Sequence, residues 1–269
     1  MSTAQKIIKY FAIAFAILLI VSIFQSIYYF GFVVGNYFVE DSSPDYHKTE
    51  NFKTNISTLD VDLAASELII KEGKNLKIEN TNKYISIKQL EDTLKIKENS
   101  HNLINYENKS RLTIYLPSNK NYKKVTIKTG AGKVAIETLS AEKLDLAVGA
   151  GKLTISNLIV TNKANIESGA GKVTIKNGHI NDLDLEMGFG EFTLNSSLTG
   201  KSEIVAGVGA LNINLLDQAS NYQIEAEKGI GTINIANTKI KNNATYGIGD
   251  NTIKLEGGIG NINVNFKEQ

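Results

Sequence analysis

The chain has 269 residues, 29 of them Lys or Arg against 28 Asp or Glu, and 42% are hydrophobic. That is enough apolar material for a folded core, with no global field to gather nucleic acid or acidic polymers. Arg111 is the one arginine, which also counts against readout of phosphates and base edges, where the bidentate guanidinium fork is favoured. The sequence contains no cysteine, so disulfides, thiolate metal sites, a cysteine nucleophile and an acylated lipoprotein cysteine are excluded.

Residues 1–9 form a short tail that carries Lys6 and Lys9, and residues 10–34 then read YFAIAFAILLIVSIFQSIYYFGFVV without a charge. As a helix this run is roughly 37 Å long, enough to cross a ~30 Å hydrocarbon core with some tilt. The lysines precede the run and Glu40, Asp41 and Asp45 follow it. The positive-inside bias therefore predicts a cytoplasmic N-terminus and an extracellular C-terminal domain. Tyr28, Tyr29, Tyr37 and Phe38 would form an aromatic belt at the outer interface. A cleaved signal peptide has a shorter apolar region that ends in small residues. Here the run is long and its end is bulky, so the expectation is an uncleaved signal anchor, single-pass in the cell membrane. Residues 35–50 follow as a polar tether, and the lipid bilayer is a partner through residues 10–34.

Residues 51–269 are predicted to be all-β. In residues 51–128, apolar side chains alternate with polar ones: Leu59, Val61 and Leu63; Leu68 and Ile70; Leu94 and Ile96; Leu112, Ile114 and Leu116. This period of two marks half-buried strands, read as irregular coils with a loop over residues 97–110. From residue 129 a Gly-x-Gly step recurs about every twenty residues. The glycine pairs are Gly130 and Gly132, Gly149 and Gly151, Gly169 and Gly171, Gly188 and Gly190, Gly207 and Gly209, and Gly229 and Gly231. Gly247-Ile248-Gly249 and Gly258-Ile259-Gly260 follow at less regular spacing. Each step is read as a tight corner whose two glycines supply positive φ.

A fixed period in this range means stacked units that bury their apolar faces on one another. Helical repeats fail because the period is two, and propeller blades need about 40 residues each. The expected architecture is a parallel β-solenoid of roughly 20-residue coils, with about ten coils spanning ~50 Å at a ~4.8 Å rise. The polar end, residues 261–269, is expected to cap the last rung.

The segments LTIYLP (Leu112 to Pro117) and VTIKTGAGKVAIETL (Val125 to Leu139), with the later LDLAVGAGKLTISNL and LDLEMGFGEFTLN, resemble the putative adhesin family of bacterial envelope proteins. That family includes the G protein of Lia-type envelope-stress operons. The resemblance covers roughly residues 52 to 266 and the preceding anchor. It implies a β-strand-repeat fold in the cell envelope and supplies no catalytic residues.

Two glycine motifs suggest ligands but do not hold. A phosphate-binding loop needs a glycine five positions before its Gly-Lys and Ser or Thr after it; around Gly151-Lys152 those places hold Leu146 and Leu153. A calcium-binding nonapeptide repeat needs Asp two residues after the glycine, where Gly260 is followed by Ile262. The glycines are therefore corners, and candidate sites fall on outward ladders. Lys133, Lys152 and Lys172, followed by Glu191, form one ladder that could hold an anionic wall polymer as a row of point charges. Asn165, Asp184 and Glu203 form another, and with Glu167 and Glu186 they make a carboxylate patch. It could take a weak cation or, at ~5 Å spacing, mimic a retaining glycosidase pair. Thr154, Thr174 and Thr193, continued by Asn212, Asn234 and Asn263, read as stiffening hydrogen-bond ladders. His47, His101 and His179 are scattered and make no catalytic or metal set.

The functional expectation is a non-enzymatic, membrane-anchored envelope protein that presents the solenoid for binding or scaffolding, in adhesion or in an envelope-stress response. Its partner would be an envelope protein or wall polymer, with no nucleic acid, cofactor or metal. The alternative is a polysaccharide-active β-helix enzyme, a lyase or hydrolase. The scarcity of arginine and of aromatic platforms beside the carboxylates argues against it.

Overall fold

The computed structural model describes residues 46–52, 55–99, 110–241 and 243–267. The expected tail, membrane helix and most of the tether lie outside the described residues, as do His101 and most of the 97–110 loop. No helix among the described residues is long and apolar enough to cross a membrane. The tether's end is not loose: Lys48–Asn51 is a strand, β1, paired antiparallel with β4, Lys77–Asn80.

The alternating residues form strands throughout. The N-terminal set continues with β2 (Thr58–Leu63), β3 (Glu67–Gly73), β5 (Ile85–Leu90), β6 (Thr93–Glu98) and β7 (Arg111–Pro117). The glycine-stepped part is β8 (Tyr122–Ile175), β9 (Gly178–Asn181), β10 (Leu183–Thr199), β11 (Lys201–Val205) and β12 (Val208–Leu215). It ends with β13 (Tyr222–Glu227), β14 (Ile230–Ile235), β15 (Thr238–Lys239), β16 (Ala244–Tyr246), β17 (Asn251–Glu256) and β18 (Ile259–Phe266). The strands of the described residues belong to one hydrogen-bonded sheet, most of it parallel, coiled on itself. The domain is all-β and solenoid-like.

Each central coil turns through three short faces. In β10 the first face, Leu183–Met187, lies in register on Ala164–Ser168, and the second, Phe189–Leu194, on Ala170–Ile175. The third, Ser197–Thr199, lies on His179–Asn181, which rests in turn on Ile159 and Val160. His179 is thus an exposed strand residue. The inward columns are the alternating apolar residues read from the sequence, including Val134, Leu153, Val173, Phe192, Leu211, Ile262 and Ile233, and all are buried. Burying such a side chain contributes about 1.5–3 kcal/mol, and every coil repeats the gain on both neighbours.

The corners need glycine for two different reasons, as Gly149-Ala150-Gly151 illustrates. Gly151 has φ of +130°, which side chains rarely adopt. Gly149 does not; a Cβ there would instead run into the carbonyl oxygen of Gly130 on the next rung. Positive φ at both glycines of a step is therefore corrected: only the second takes it, while both let two backbones touch, since a Cβ on Gly151 would meet the carbonyl oxygen of Gly132. All the predicted corner pairs from Gly130 to Gly231 occupy such sites, and so does Gly258-Ile259-Gly260. Gly247-Ile248-Gly249 does not: it packs on the backbone of Asn221 and Tyr222, away from the corner column.

The rungs do not stack in chain order. β2 lies between β6 and the start of β8, and β3 between β7 and β8. At the other end β17 sits between β11 and β13, and β18 between β12 and β14. Residues 261–266 are therefore interior strand, correcting the expectation that they cap the stack. The outermost rungs carry short antiparallel strands instead: β5 on β6, β4 on β7, β16 on β13 and β15 on β14. Covering the final ladders in this way blunts edges that would otherwise template further pairing.

Gly151→Ala should destabilise the domain by about 1–3 kcal/mol from backbone strain alone, read as a lower denaturant midpoint, while Ala150→Ser, at an exposed site, should leave it unchanged. Rung order can be read with engineered cysteines, since the chain has none. The pair Val208→Cys with Ile259→Cys, opposed in register, should oxidise readily. Val208→Cys with Ile230→Cys, two rungs apart at ~9.6 Å, should not; the reverse result would restore sequential stacking.

Candidate functional site

Because coils stack in register, each outward position becomes a column along the domain. On the second face, one residue past the corner, the rungs β3 and β7 add two residues that the sequence reading missed. Glu67 pairs in register with Arg111, and its strand runs beside Leu68↔Val134, which brings Glu67 next to Lys133. The Glu67 carboxylate takes a 2.8 Å bond from Arg111 Nε and a 3.4 Å ion pair from Lys133. At the far end Lys172 bonds Glu191, its register partner, at 2.9 Å. The lysine ladder is thus closed at both ends by carboxylates. Lys152 alone of its three lysines has no ion pair among the described residues.

The carboxylate patch on the first face forms as expected. Asn165, Asp184 and Glu203 stand in register, and Glu167 stands beside Glu186. Its charges are partly answered from within. Lys163 bonds Asp184 at 2.6 Å, and Lys254, which β17 places against Glu203, bonds Glu203 at 3.1 Å and Glu256 at 2.6 Å. Donating these hydrogen bonds to Glu256 and Glu203 raises the Lys254 ammonium above its ordinary value. Among the described residues no three His, Asp or Glu side chains converge as metal ligands. One rung further along, Asp145 accepts 2.8 Å from Lys124 and 2.7 Å from Asn165 Nδ2. Partial burial pushes its carboxyl up, yet these bonds hold it below the usual range. Glu67 behaves alike, with burial opposed and outweighed by Arg111 and Lys133.

The amide ladders also form, in an order only the fold reveals. Thr174 and Thr193 lead to Asn212, then Asn263, then Asn234. Asn263 Nδ2 donates to Asn212 at 3.0 Å, and Asn234 Nδ2 donates to Asn263 at 2.9 Å. A second column runs through Asn195, Asn214 and Asn265 at 2.6 and 2.9 Å. Along β12, β18 and β14 these side-chain amides therefore bond from rung to rung, and none of them carries a charge.

The least anticipated group is Glu98. Corner N–H groups all point one way: Ala131 N donates to Ala64 O, Ile259 N to Gly207 O and Ile230 N to Gly258 O, each at 2.8 Å. At the β2–β3 corner the row reaches its end, and Glu98 Oε2 accepts from the consecutive N–H groups of Ala64, Ala65 and Ser66 at 2.8, 3.0 and 3.2 Å. Oε1 takes the Ser66 hydroxyl and the Asn82 amide at 2.7 Å each. A carboxylate on successive backbone N–H groups is a natural anion nest, here filled by the protein itself. The signal was in the sequence: Leu94, Ile96 and Glu98 share the inward parity, and a charge in an inward slot needs partners.

Comparison with known proteins places this geometry. The family described as Toastrack DUF4097 matches residues 56–266. Among solved structures, a putative adhesin from Parabacteroides distasonis is 14% identical, with 84% of this chain and 98% of that one covered at a TM-score of 0.46. A putative adhesin from Bacteroides fragilis is also 14% identical, with coverage of 84% and 98% at 0.43. A putative cell adhesion protein from Clostridium sporogenes is 16% identical, with coverage of 83% and 100% at 0.38. Comparison with curated proteins gives no match.

Glu98→Gln should destabilise the domain by about 2 kcal/mol or more, since charge-assisted bonds contribute about 1.5–3 kcal/mol each; chemical denaturation measures it. Glu67 and Asp145 have depressed carboxyl values in the folded state. Their contribution is complete above the unfolded values near 4 and is lost as pH falls through the lower folded ones. Melting temperature should therefore drop on acidification below about pH 4, with a shallower acid slope in Glu67→Gln.

Proposed function

The chain belongs to the Toastrack DUF4097 family, and from that premise we propose that it is a single-pass cell-membrane protein presenting its β domain outside the cell for binding or scaffolding. Residues 10–34 are the anchor in the bilayer, residues 1–9 face the cytoplasm, and the partner is an envelope protein or a wall polymer. The role is adhesion or contact-based participation in an envelope-stress response.

The observation that carries this reading is the set of outward columns. Corner contacts hold polar side chains at a fixed ~4.8 Å repeat along a stiff support, which suits recognition of another extended or multivalent surface. The uncharged run of 25 residues ahead of the domain, with lysines on one side and acids on the other, supports the orientation. The carboxylate patch fits this role better than catalysis. Asp184 and Glu203 are each clamped by a lysine, and Glu167 and Glu186 stand exposed to water. A general acid requires a carboxyl sheltered from water instead.

In cells, the full chain should fractionate with membranes, and its domain should be cleaved by protease added outside intact cells. A chain lacking residues 1–34 should lose the membrane association. Cytosolic protection of the domain would overturn the orientation. Full-length protein should capture envelope proteins or wall material in a pull-down. A polysaccharide-degrading activity abolished by the combined substitutions E167Q, D184N, E186Q and E203Q would replace the binding reading with an enzymatic one.

A further inference from the structure

The middle residue of every corner points away from the domain, so the corner residues form a ridge. In stacking order its central and distal members are Ala131, Ala150, Ala170, Phe189, Val208, Ile259 and Ile230. Phe189 is in register with Ala170 and Val208, Val208 with Ile259, and Ile259 with Ile230. The ridge therefore changes abruptly from methyl groups to large apolar side chains. Phe189 is 49% exposed, Val208 36%, Ile259 52% and Ile230 71%. Insertion of β18 between β12 and β14 sets the order of this row, placing Ile259 between Val208 and Ile230. The four span three rung steps, about 14 Å, matching about nine residues of an α-helix at 1.5 Å each.

Charge on the two sides of this row is unequal. Two positions before the corner, Glu167 stands beside Glu186, and Glu256 beside Glu227, with Val205 between the pairs. Glu256 is bonded to Lys254, whereas Glu167, Glu186 and Glu227 are exposed and have no ion-pair partner among the described residues. On the other side the same rungs present Glu191, which is ion-paired with Lys172, and then Ala210, Asn261 and Thr232, which are uncharged. We propose that the Phe189–Val208–Ile259–Ile230 row docks a basic amphipathic segment of a partner protein. Its apolar stripe would lie along the ridge and its lysines or arginines would face the glutamate column.

Other occupants fit the charges less well. A second copy docked side by side would bring its own glutamate column to the same height, and an anionic lipid surface would meet Glu167, Glu186 and Glu227 with repulsion. A basic helix gains from both features, since apolar anchors spaced i, i+3, i+4 and i+7 are the usual reading of a helix laid along an apolar surface. Opposite charge at the rim adds steering and orientation.

The proposal rests on the reading of the domain as a binding module. Its test uses the full chain in zwitterionic nanodiscs, with empty discs as blank, and a fluorescent 18-residue amphipathic Leu/Lys peptide followed by anisotropy. Binding should be saturable, at least 10-fold weaker for a scrambled peptide of the same composition, and weaker still for an amphipathic Leu/Glu peptide. Ile230→Ser with Ile259→Ser, at exposed positions, should cost at least 10-fold while the melting temperature holds. E167Q with E186Q and E227Q should weaken binding several-fold and flatten its dependence on salt. Equal binding of the scrambled peptide, or no effect of the ridge substitutions, would overturn the proposal. So would ridge-dependent sedimentation with lipid vesicles, or ridge-dependent dimerisation without peptide, which would assign the row to lipid or to a second copy. An enzymatic domain would reveal itself separately, as polysaccharide turnover without any peptide, so the two failures are distinguishable.

Discussion

The approach of one corner backbone to the next is the constraint from which the rest of the domain follows. Gly149 stands so close over the carbonyl of Gly130 that no Cβ fits between them, and the same holds up the column to Gly229. That contact brings the N–H of each middle residue within bonding distance of the rung before it. It also locks register, because a slip of one residue would put a side chain where only glycine fits. A slip would in addition turn every inward Val, Leu and Ile outward. Backbone proximity and core packing therefore specify the same alignment, the kind of agreement between levels that favours a single native state.

A stack built this way has direction and must be terminated. Its corner N–H groups all point towards the β2–β3 rung, where Glu98 receives them. This corner is Ala64-Ala65-Ser66 rather than Gly-x-Gly, and none of the three residues takes positive φ. It has a carboxylate in front of it instead of another backbone. The side-chain end of the third face shows a related contrast. The Tyr222 hydroxyl donates to Asp217 at 2.8 Å and accepts from Leu198 N at 3.3 Å. The Tyr122 hydroxyl, buried without a hydrogen-bond partner among the described residues, is pushed up to about 12 by burial. At both ends the first and last coils in sequence are tucked one rung inside, and antiparallel strands cover what is left.

The surface inherits its order from the same contact. Columns that alternate in charge close on themselves as ion pairs, as Glu67 does with Arg111 and Lys133. Such exposed pairs contribute about 0–1 kcal/mol each, so their main consequence is to cancel local field rather than to stabilise the fold. Towards the β14 end the ridge is large and apolar, and beside it Glu186 and Glu227 have no ion-pair partner among the described residues. The lysine column, by contrast, has two of its three charges engaged within the protein.

Read alone, the sequence determined the all-β class, the parallel stacking, the buried columns and the position of every corner from Gly130 to Gly231, because period-two alternation and a twenty-residue glycine step are local patterns. It also placed Asp184 beside Glu203 and Glu167 beside Glu186, since equivalent positions of successive coils must align. The tertiary structure alone decided which coils are neighbours at the two ends. Local pattern is the same for a coil whether it is last or second to last, so Ile259 against both Val208 and Ile230, Lys254 against Glu203, and Glu67 between Arg111 and Lys133 were invisible. Each of these joins residues far apart in the chain through strand insertion. That choice is governed by the edges a stack must cover rather than by anything within one repeat.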